Sequence, residues 1–452
     1  MSDKESEIAL SDQPSGTGRP SGRPSLEQPA SAFGLLVMKV AFLCSPFGTS
    51  LRGSEATEAI PNLSRVSKSV ISTFILLVLF SIPAFAEKPL LSTSLPIPSE
   101  IPHSIKVALM VDVPSVSIYI EGPYMVKISE TAASVFESKP LQATVLADEQ
   151  GIKMNDQLYP TDRMTLTVPS GSIQVGRKRY ARQIQIIKKS GNKLLVVNQI
   201  DLEEYLKGVL PLEVHPDWSA EFLKAHAVIS RTFALFKTLE KKDLDYALVD
   251  TAQSQVYGGS LFHKESTDHA VDLTRGEVLT SDGKLFPSYF HAACGGRTAQ
   301  ADQIWPVEPN PVLKGVVCNF CKGTKYWRWS LKMPLQKIEE IMHEKDYPAK
   351  NLSNIQFTAR DRSGRATRVI LKYKLSIVVI RADDFRAWIG YDLFKSLKAG
   401  VTVENGLASF VGYGWGHGIG FCQWGAKAQA EAGKNYREIL SFYFPGSELK
   451  KF

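Results

Sequence analysis

At Asp201 the hydrophobic period of this chain changes from that of strands to that of helices, and this change constrains the fold more than any other feature. From Ile105 to Asn198 the pattern is strand-like. The segments KVALMVDV, SVSIYIEG, YMVKIS, LQATVLAD, MTLTVPS, SIQVGRKRYARQIQIIKKS and KLLVVNQI are separated by Gly, Pro, Asp and Asn turns. The next stretch, DLEEYLKGVLPLEVHPDWSAEFLKAHAVISRTFALF from Asp201 to Phe236, repeats its apolar residues at helical spacing. The expected class is therefore α+β: a β-rich N-terminal portion, then a mixed α/β portion with a few amphipathic helices. Gly176 splits the long sixth segment into a hairpin. The basic residues from Arg177 to Arg182 line an edge that either touches an anionic polymer or only discourages edge-to-edge aggregation.

Within the helical stretch Asp201 is placed to cap, with Glu204 in the capping-box position and Leu202, Tyr205, Leu206 and Val209 as an apolar stripe. Pro211 is expected to end this helix. A second helix is expected from near Ser219, with Phe222, His226, Ile229, Phe233 and Phe236 on one face. Glu213 then falls in a short, Pro-bracketed connection. A carboxylate beside apolar residues can have a raised pKa and act as an acid/base; an ordinary solvated loop carboxylate fits the same spacing.

DTAQSQVYGGS, from Asp250 to Ser260, reads as a polar loop, His269 to Leu279 as a helix end and strand, and Lys284 to His291 as a further strand. Residues 326–400 alternate again, with TRVILKYKLSIVVI a strand pair and Ala382 to Leu397 helical, and suggest an insertion within a domain spanning 201–452. Phe410 to Gly425 is dense in Gly and aromatics. A helix is expected from Ala426 to Ala432, and Asn435 with Glu438 caps a last one that Pro445 and Gly446 end.

With 452 residues and 44% hydrophobic content the chain has room for two or three domains. Residues 1–68 are Ser, Gly and Pro rich at their start and read as a disordered leader ahead of the β-rich domain at 87–200. Arg65, Lys68 and the apolar run from Val70 to Ala86 match a signal peptide at 69–86, cleaved before Glu87 after Ala84 and Ala86. An uncleaved anchor is the alternative, though Pro83 and the short run favour cleavage and export. The late position fits either a start downstream of Met1 or an extended leader, and Cys44 after Leu43 makes a poor lipidation site. Residues 1–86 carry seven basic and seven acidic groups, so the net +7 belongs to residues 87–452. That bias suits an anionic polymer or surface, and no tract massed for nucleic acid is present.

Two constellations could carry chemistry. His291 and Cys294, with Cys318 and Cys321, form a His-x2-Cys and a Cys-x2-Cys pair suited to tetrahedral zinc. A closed ligand set of this kind would be structural. A disulfide between Cys294 and Cys318 is the competing reading, and a redox Cys-x-x-Cys centre a third. The other constellation is His417 among Gly414, Gly416, Gly418 and Gly420, with Trp415 and Trp424 nearby. Glycines allow close backbone approach and indole faces stack on sugars, so this is either the floor of a carbohydrate groove or a tight turn around a buried His.

Three separated motifs resemble one family. GVLPLEVHPDW with LKAHAVISRTFAL, DTAQSQVYGG through RGEVLTSDGKLFPSYFHAACGGRT, and GWGHGIGFCQWGAKAQAEAG with YREILSFYFPGSEL are similar, in that order, to the stage II sporulation protein D or amidase-enhancer family. The resemblance covers roughly residues 105–452 and implies a secreted or membrane-tethered lytic transglycosylase. Such an enzyme cleaves peptidoglycan between N-acetylmuramic acid and N-acetylglucosamine, preferring strands without stem peptides. The family's catalytic Glu matches Glu213, and the resemblance carries Arg231, Ser254, Gln255, Tyr257, His417 and Gln423 over as groove residues. A single carboxylate suffices where the muramoyl 6-hydroxyl attacks internally. Two departures stand out. Val214, His215 and Pro216 replace a Met or Met-Pro after the Glu, and Cys318 and Cys321 complete a zinc set that not all members share. A non-catalytic glycan-binding activator of a cell-wall amidase is the alternative, with membrane contact only through an uncleaved N-terminal segment.

Overall fold

A computed structural model of the chain describes residues 90–128, 134–347 and 350–452. The leader, the signal segment and Cys44 lie outside these residues. The fold is mixed α+β, with strands dominating the N-terminal part.

Two largely antiparallel sheets form that part. One contains seven strands, with Lys193–Asp201 paired to Ser104–Val113 on one side and Gln183–Lys189 on the other. The second contains six, centred on Ser115–Ile120 and Leu141–Asp148. Alternation sends Val116, Ile118, Ile120, Val145, Ile184, Ile186, Val196 and Ile200 inward to one core. The expected hairpin is present: Ile173–Val175 and Lys178–Tyr180 pair around Gly176, whose φ is 59°.

Helix α1, Leu202–Glu213, leaves the last strand directly, its N-terminus capped by Asp201, which accepts from the N–H groups of Glu203 and Glu204. Glu204 turns to Lys207 and does not close a capping box. Helix α2, Ala220–Glu240, starts at Ser219 as expected. Tyr205, Leu206, Val209, Phe233 and Phe236 join the core of the strands, so at residue 200 the period changes while the core continues. Leu248–Val249 then returns as a parallel strand beside Ser104–Val113.

Pro211 does not end α1. It removes one donor, the N–H that would reach the Lys207 carbonyl, yet the last turn closes through Val214 N–H to Leu210 C=O at 3.0 Å. Burial of Val209 and Leu210 holds that turn against the local propensity. Glu213 is therefore the last residue of a helix and not part of a loop.

Helices α3 (Glu265–Leu273), α4 (Ala301–Ile304), α5 (Leu335–His343), α6 (Ala382–Ile389), α7 (Gln423–Glu431) and α8 (Tyr436–Tyr443) come after these. Lys284 to His291 forms two short strands, Lys284–Leu285 and Phe290–His291, where one was expected. Helix α6 stops at Gly390, φ 104°, well short of Leu397. Asn435 and Glu438 form a complete capping box at α8. A second hydrophobic cluster runs from Val214 to Phe444, and a third gathers residues between Trp329 and Phe410 around α5, α6 and two three-stranded sheets. Among the described residues no helix is long and apolar enough to cross a membrane.

Candidate active site

Glu213 is half-buried at the C-terminal end of α1. Burial pushes its carboxyl up to about 7, against the pull of the Val256 N–H, which donates to Oε1 at 2.6 Å. A group with this pKa is protonated in a useful fraction of molecules at neutral pH and can both donate and recover a proton.

The Asp250–Ser260 loop that supplies Val256 lies directly on α1. Gly258 N–H donates to Gly208 C=O at 3.1 Å, and a Cβ on Gly208 would stand 2.6 Å from the Tyr257 ring. Only glycine at 208 lets the loop approach this closely. Tyr257 is buried between Tyr180 and Tyr205 and donates its hydroxyl to Asn198 Oδ1 at 2.8 Å. Gln255 is fully buried. It accepts from the Tyr205 hydroxyl at 3.3 Å, while its Nε2 has no partner among the described residues. Ser254 Oγ accepts from Val249 N–H at 3.2 Å. Of these three groove expectations, Tyr257 is a buried pillar that anchors the loop.

From the other side, Gln423 at the start of α7 donates Nε2–H groups to the Glu213 carbonyl at 3.3 Å and to His226 Nε2 at 3.1 Å. His226 is buried, and desolvation lowers it to about 3, so it is neutral. With Nε2 accepting, its Nδ1 donates to Ser230 Oγ at 3.2 Å. In the sequence His226 is legible only as one position on an apolar helix face.

Arg231 does not reach the groove. It is 1% exposed and makes a bidentate ion pair with Glu203 at 2.8 and 2.7 Å, while also donating to the Glu277 and Val271 carbonyls. A buried guanidinium needs such a partner. Glu203, in the first turn of α1, supplies it, a role no motif indicated.

The Gly-dense segment is a tight turn. Gly414, Gly416, Gly418 and Gly420 all have positive φ; a Cβ on Gly418 would fall 2.1 Å from the Arg365 guanidinium carbon. His417 donates Nε2–H to Phe290 C=O at 2.8 Å and accepts at Nδ1 from Ile419 N–H. Burial holds it neutral, near 3, and its ring packs against Trp305. Both nitrogens are thus committed to backbone.

Of the four ligands expected from the sequence, Cys294 and Cys321 lie in the thiol cluster, Cys422 joins them, and His291 and Cys318 fall outside it. Cys294, Cys321 and Cys422 place their sulfurs within 4.8 Å of one another, all buried. Cys318 borders them: a Cβ on Gly425 would lie 2.8 Å from its Sγ and 3.2 Å from that of Cys422. His291 is not in the group; its Nδ1 donates to Ile419 C=O at 3.1 Å and its ring packs on His417. Cys422 arrives through parallel pairing of Phe290–His291 with Phe421–Cys422, a contact no local spacing reveals. Among the described residues none of the four cysteines forms a disulfide. The Cys294 N–H donates to Cys422 Sγ at 3.2 Å. Three buried thiols this close, with Cys318 at their border, offer the donor chemistry of a structural zinc site.

A family model described as "Stage II sporulation protein" matches residues 190–281, which include Glu213 and the Asp250–Ser260 loop. A domain of unknown function matches residues 302–420. An uncharacterized protein of Brachyspira hyodysenteriae is 31% identical over 336 residues, 74% of this chain and 89% of its own length. The amidase enhancer of Bacillus subtilis is 28% identical over 298 residues, which span 55% of this chain but only 40% of that protein. Stage II sporulation protein D of Bacillus subtilis is 26% identical over 278 residues, 56% of this chain and 76% of the relative.

Proposed function

Because this chain belongs to the stage II sporulation protein D and amidase-enhancer family, a family of sporulation and cell-wall proteins, we propose that it is a lytic transglycosylase of peptidoglycan glycan strands with Glu213 as its one acid/base. The observation that carries this reading is the Glu213 carboxyl. It is partly desolvated, raised to about 7 and aimed by a single backbone N–H, with no neighbouring charge contributing to its shift. A hydrolase of the two-carboxylate type would need a second acid at a defined separation.

In the proposed reaction protonated Glu213 donates to the glycosidic oxygen between N-acetylmuramic acid and N-acetylglucosamine as the bond to the muramoyl anomeric carbon breaks. The muramoyl 6-hydroxyl oxygen bonds to that carbon, and its proton passes to the Glu213 carboxylate. The products are an anhydro-muramoyl end and a free N-acetylglucosamine hydroxyl; the enzyme is regenerated and no water is consumed. Val256 N–H holds the carboxyl by one oxygen, leaving the other for the substrate, and Gln423 fixes the main chain. Ser254 and Gln255 directly precede Val256 in the loop that holds the acid.

We also propose structural zinc held by Cys294, Cys318, Cys321 and Cys422. Its chemistry there is cross-linking alone, since four thiolates leave no open position. The strands are expected to be met outside the cytoplasm, after export directed by residues 69–86. Mass analysis of peptide-free glycan strands tests the activity: the native chain should release anhydro-muramoyl products and Glu213→Gln should not. A second reading, activation of a cell-wall amidase through glycan binding, is favoured by the similarity to the Bacillus subtilis amidase enhancer. It predicts stimulation of an added amidase that survives Glu213→Gln.

A further inference from the structure

Four aromatic rings form a continuous, partly exposed strip that starts five residues after Glu213. Trp218 packs edge-on to Trp424 with centroids 5.2 Å apart, Trp424 lies 5.2 Å from Tyr326, and Tyr326 lies 5.1 Å from Trp415. Each of the four is intermediate in exposure. Trp218, Tyr326 and Trp424 pack one side on the cluster that holds the thiols while part of each ring stays exposed, and a soluble surface rarely strings four such rings together without a ligand. Trp424 is the neighbour of Gln423, whose amide holds the Glu213 carbonyl, so the strip is tied to the main chain that carries the acid.

Cations accompany the rings. Lys427 lies over Trp424 at 5.4 Å and Trp218 at 5.8 Å, and Lys395 lies over Trp415 at 4.2 Å. Lys427 also pairs with Glu431, whereas Lys395 has no carboxylate partner among the described residues. Aromatic faces receive the C–H faces of pyranose rings, and ammonium groups beside them receive carboxylates.

From this juxtaposition we propose that Trp218, Trp424, Tyr326 and Trp415, with Lys395 and Lys427, bind a carboxylate-bearing amino-sugar polymer along a path leading away from Glu213. The distal half, Tyr326, Lys395 and Trp415, comes from the region matched by a domain of unknown function. The role assigned to that region is to lengthen the glycan groove. The inference rests on the reading of this site as a glycan site, but not on cleavage.

The test measures binding on the Glu213→Gln chain, where no turnover interferes. Its probes are the dimer and hexamer of β-1,4-linked N-acetylglucosamine and peptide-free muramic-acid-containing strands. Tyr326→Ala should weaken the hexamer about tenfold, the upper end for one aromatic contact, and leave the dimer within about twofold. Tyr326→Phe should restore binding. Lys395→Gln should weaken the muramic strands several-fold, less so at high salt, and leave the neutral hexamer unchanged. Equal loss for dimer and hexamer, or no loss with either variant, overturns the proposal. Normal binding losses without anhydro products from the native chain would instead sink the transglycosylase reading and leave the strip standing.

Discussion

Replacing Glu213 by Gln should abolish activity while making the protein more stable at alkaline pH. The carboxyl moves from an ordinary 4.5 to about 7 on folding. Between those values the native state holds a proton that the unfolded chain has released, so stability falls as pH rises through that window and levels off above it. At about 1.4 kcal/mol per unit the full shift corresponds to about 3 kcal/mol, which solvent access on the open side of the carboxyl reduces to roughly 2 kcal/mol. Gln keeps an acceptor oxygen for Val256 N–H and has no proton to lose. The variant should therefore match the native chain at pH 4 and exceed it by roughly 2 kcal/mol at pH 8, a few degrees in apparent melting temperature for a chain of this size. Denaturant unfolding at a series of pH values measures the difference. A gap that is absent at pH 8, or independent of pH, would show that Glu213 is an ordinary solvated carboxylate and remove the basis for its role as an acid.

Gly208→Ala improves helix propensity but drives a methyl toward the Tyr257 ring; activity should fall at least tenfold with little change in secondary structure by circular dichroism, and retention of full activity would mean the loop tolerates displacement. Glu203→Gln leaves Arg231 charged and buried without its partner, so unfolding measurements should show a loss of about 3–5 kcal/mol; a loss under 1 kcal/mol would contradict the ion pair. Cys422→Ser should abolish stoichiometric zinc in the purified chain whereas His291→Ala should retain it, as read by elemental analysis, and the reverse pattern would restore the His-x2-Cys assignment. The rate of glycan cleavage should decline above pH 7 as Glu213 loses its proton; a rate still rising at pH 9 would point to a different acid.

What the sequence displays well is local. Asp201, Ser219 and the Asn435–Glu438 pair sit where their side chains meet the first helical N–H groups, and chemistry of that range is written into neighbouring residues. Pro211 shows the limit. Its local effect is real, but Val209 and Leu210 are buried against strands that begin over a hundred residues earlier, and those contacts win. Cys422 shows the same limit for sites: it lies 101 residues after Cys321 and enters the thiol cluster only because two strands pair in parallel. Motif position puts Arg231 and Tyr257 in the groove, yet it does not distinguish a side chain that faces substrate from one that holds the wall behind it. The Glu203 partner and the Asn198 hydroxyl acceptor decide that, and both lie elsewhere in the chain.

Glu213 occupies the seam between two hydrophobic clusters. Leu210, three residues before it, packs in the cluster shared with the N-terminal strands, while Val214, the next residue, packs in the cluster that contains the thiols. Its carboxyl is aimed by Val256, in a loop anchored to the first cluster through Tyr257 and Asn198. Its main chain is held by Gln423, one residue beyond Cys422 in the second. The acid is thus positioned by two cores that meet beneath it, and a shift of either relative to the other moves the carboxyl away from its backbone donor. Loosening the thiol cluster should therefore reach Glu213 both through Val214 and through Cys422 and Gln423, which would give that cluster a bearing on the proposed catalysis without touching the substrate.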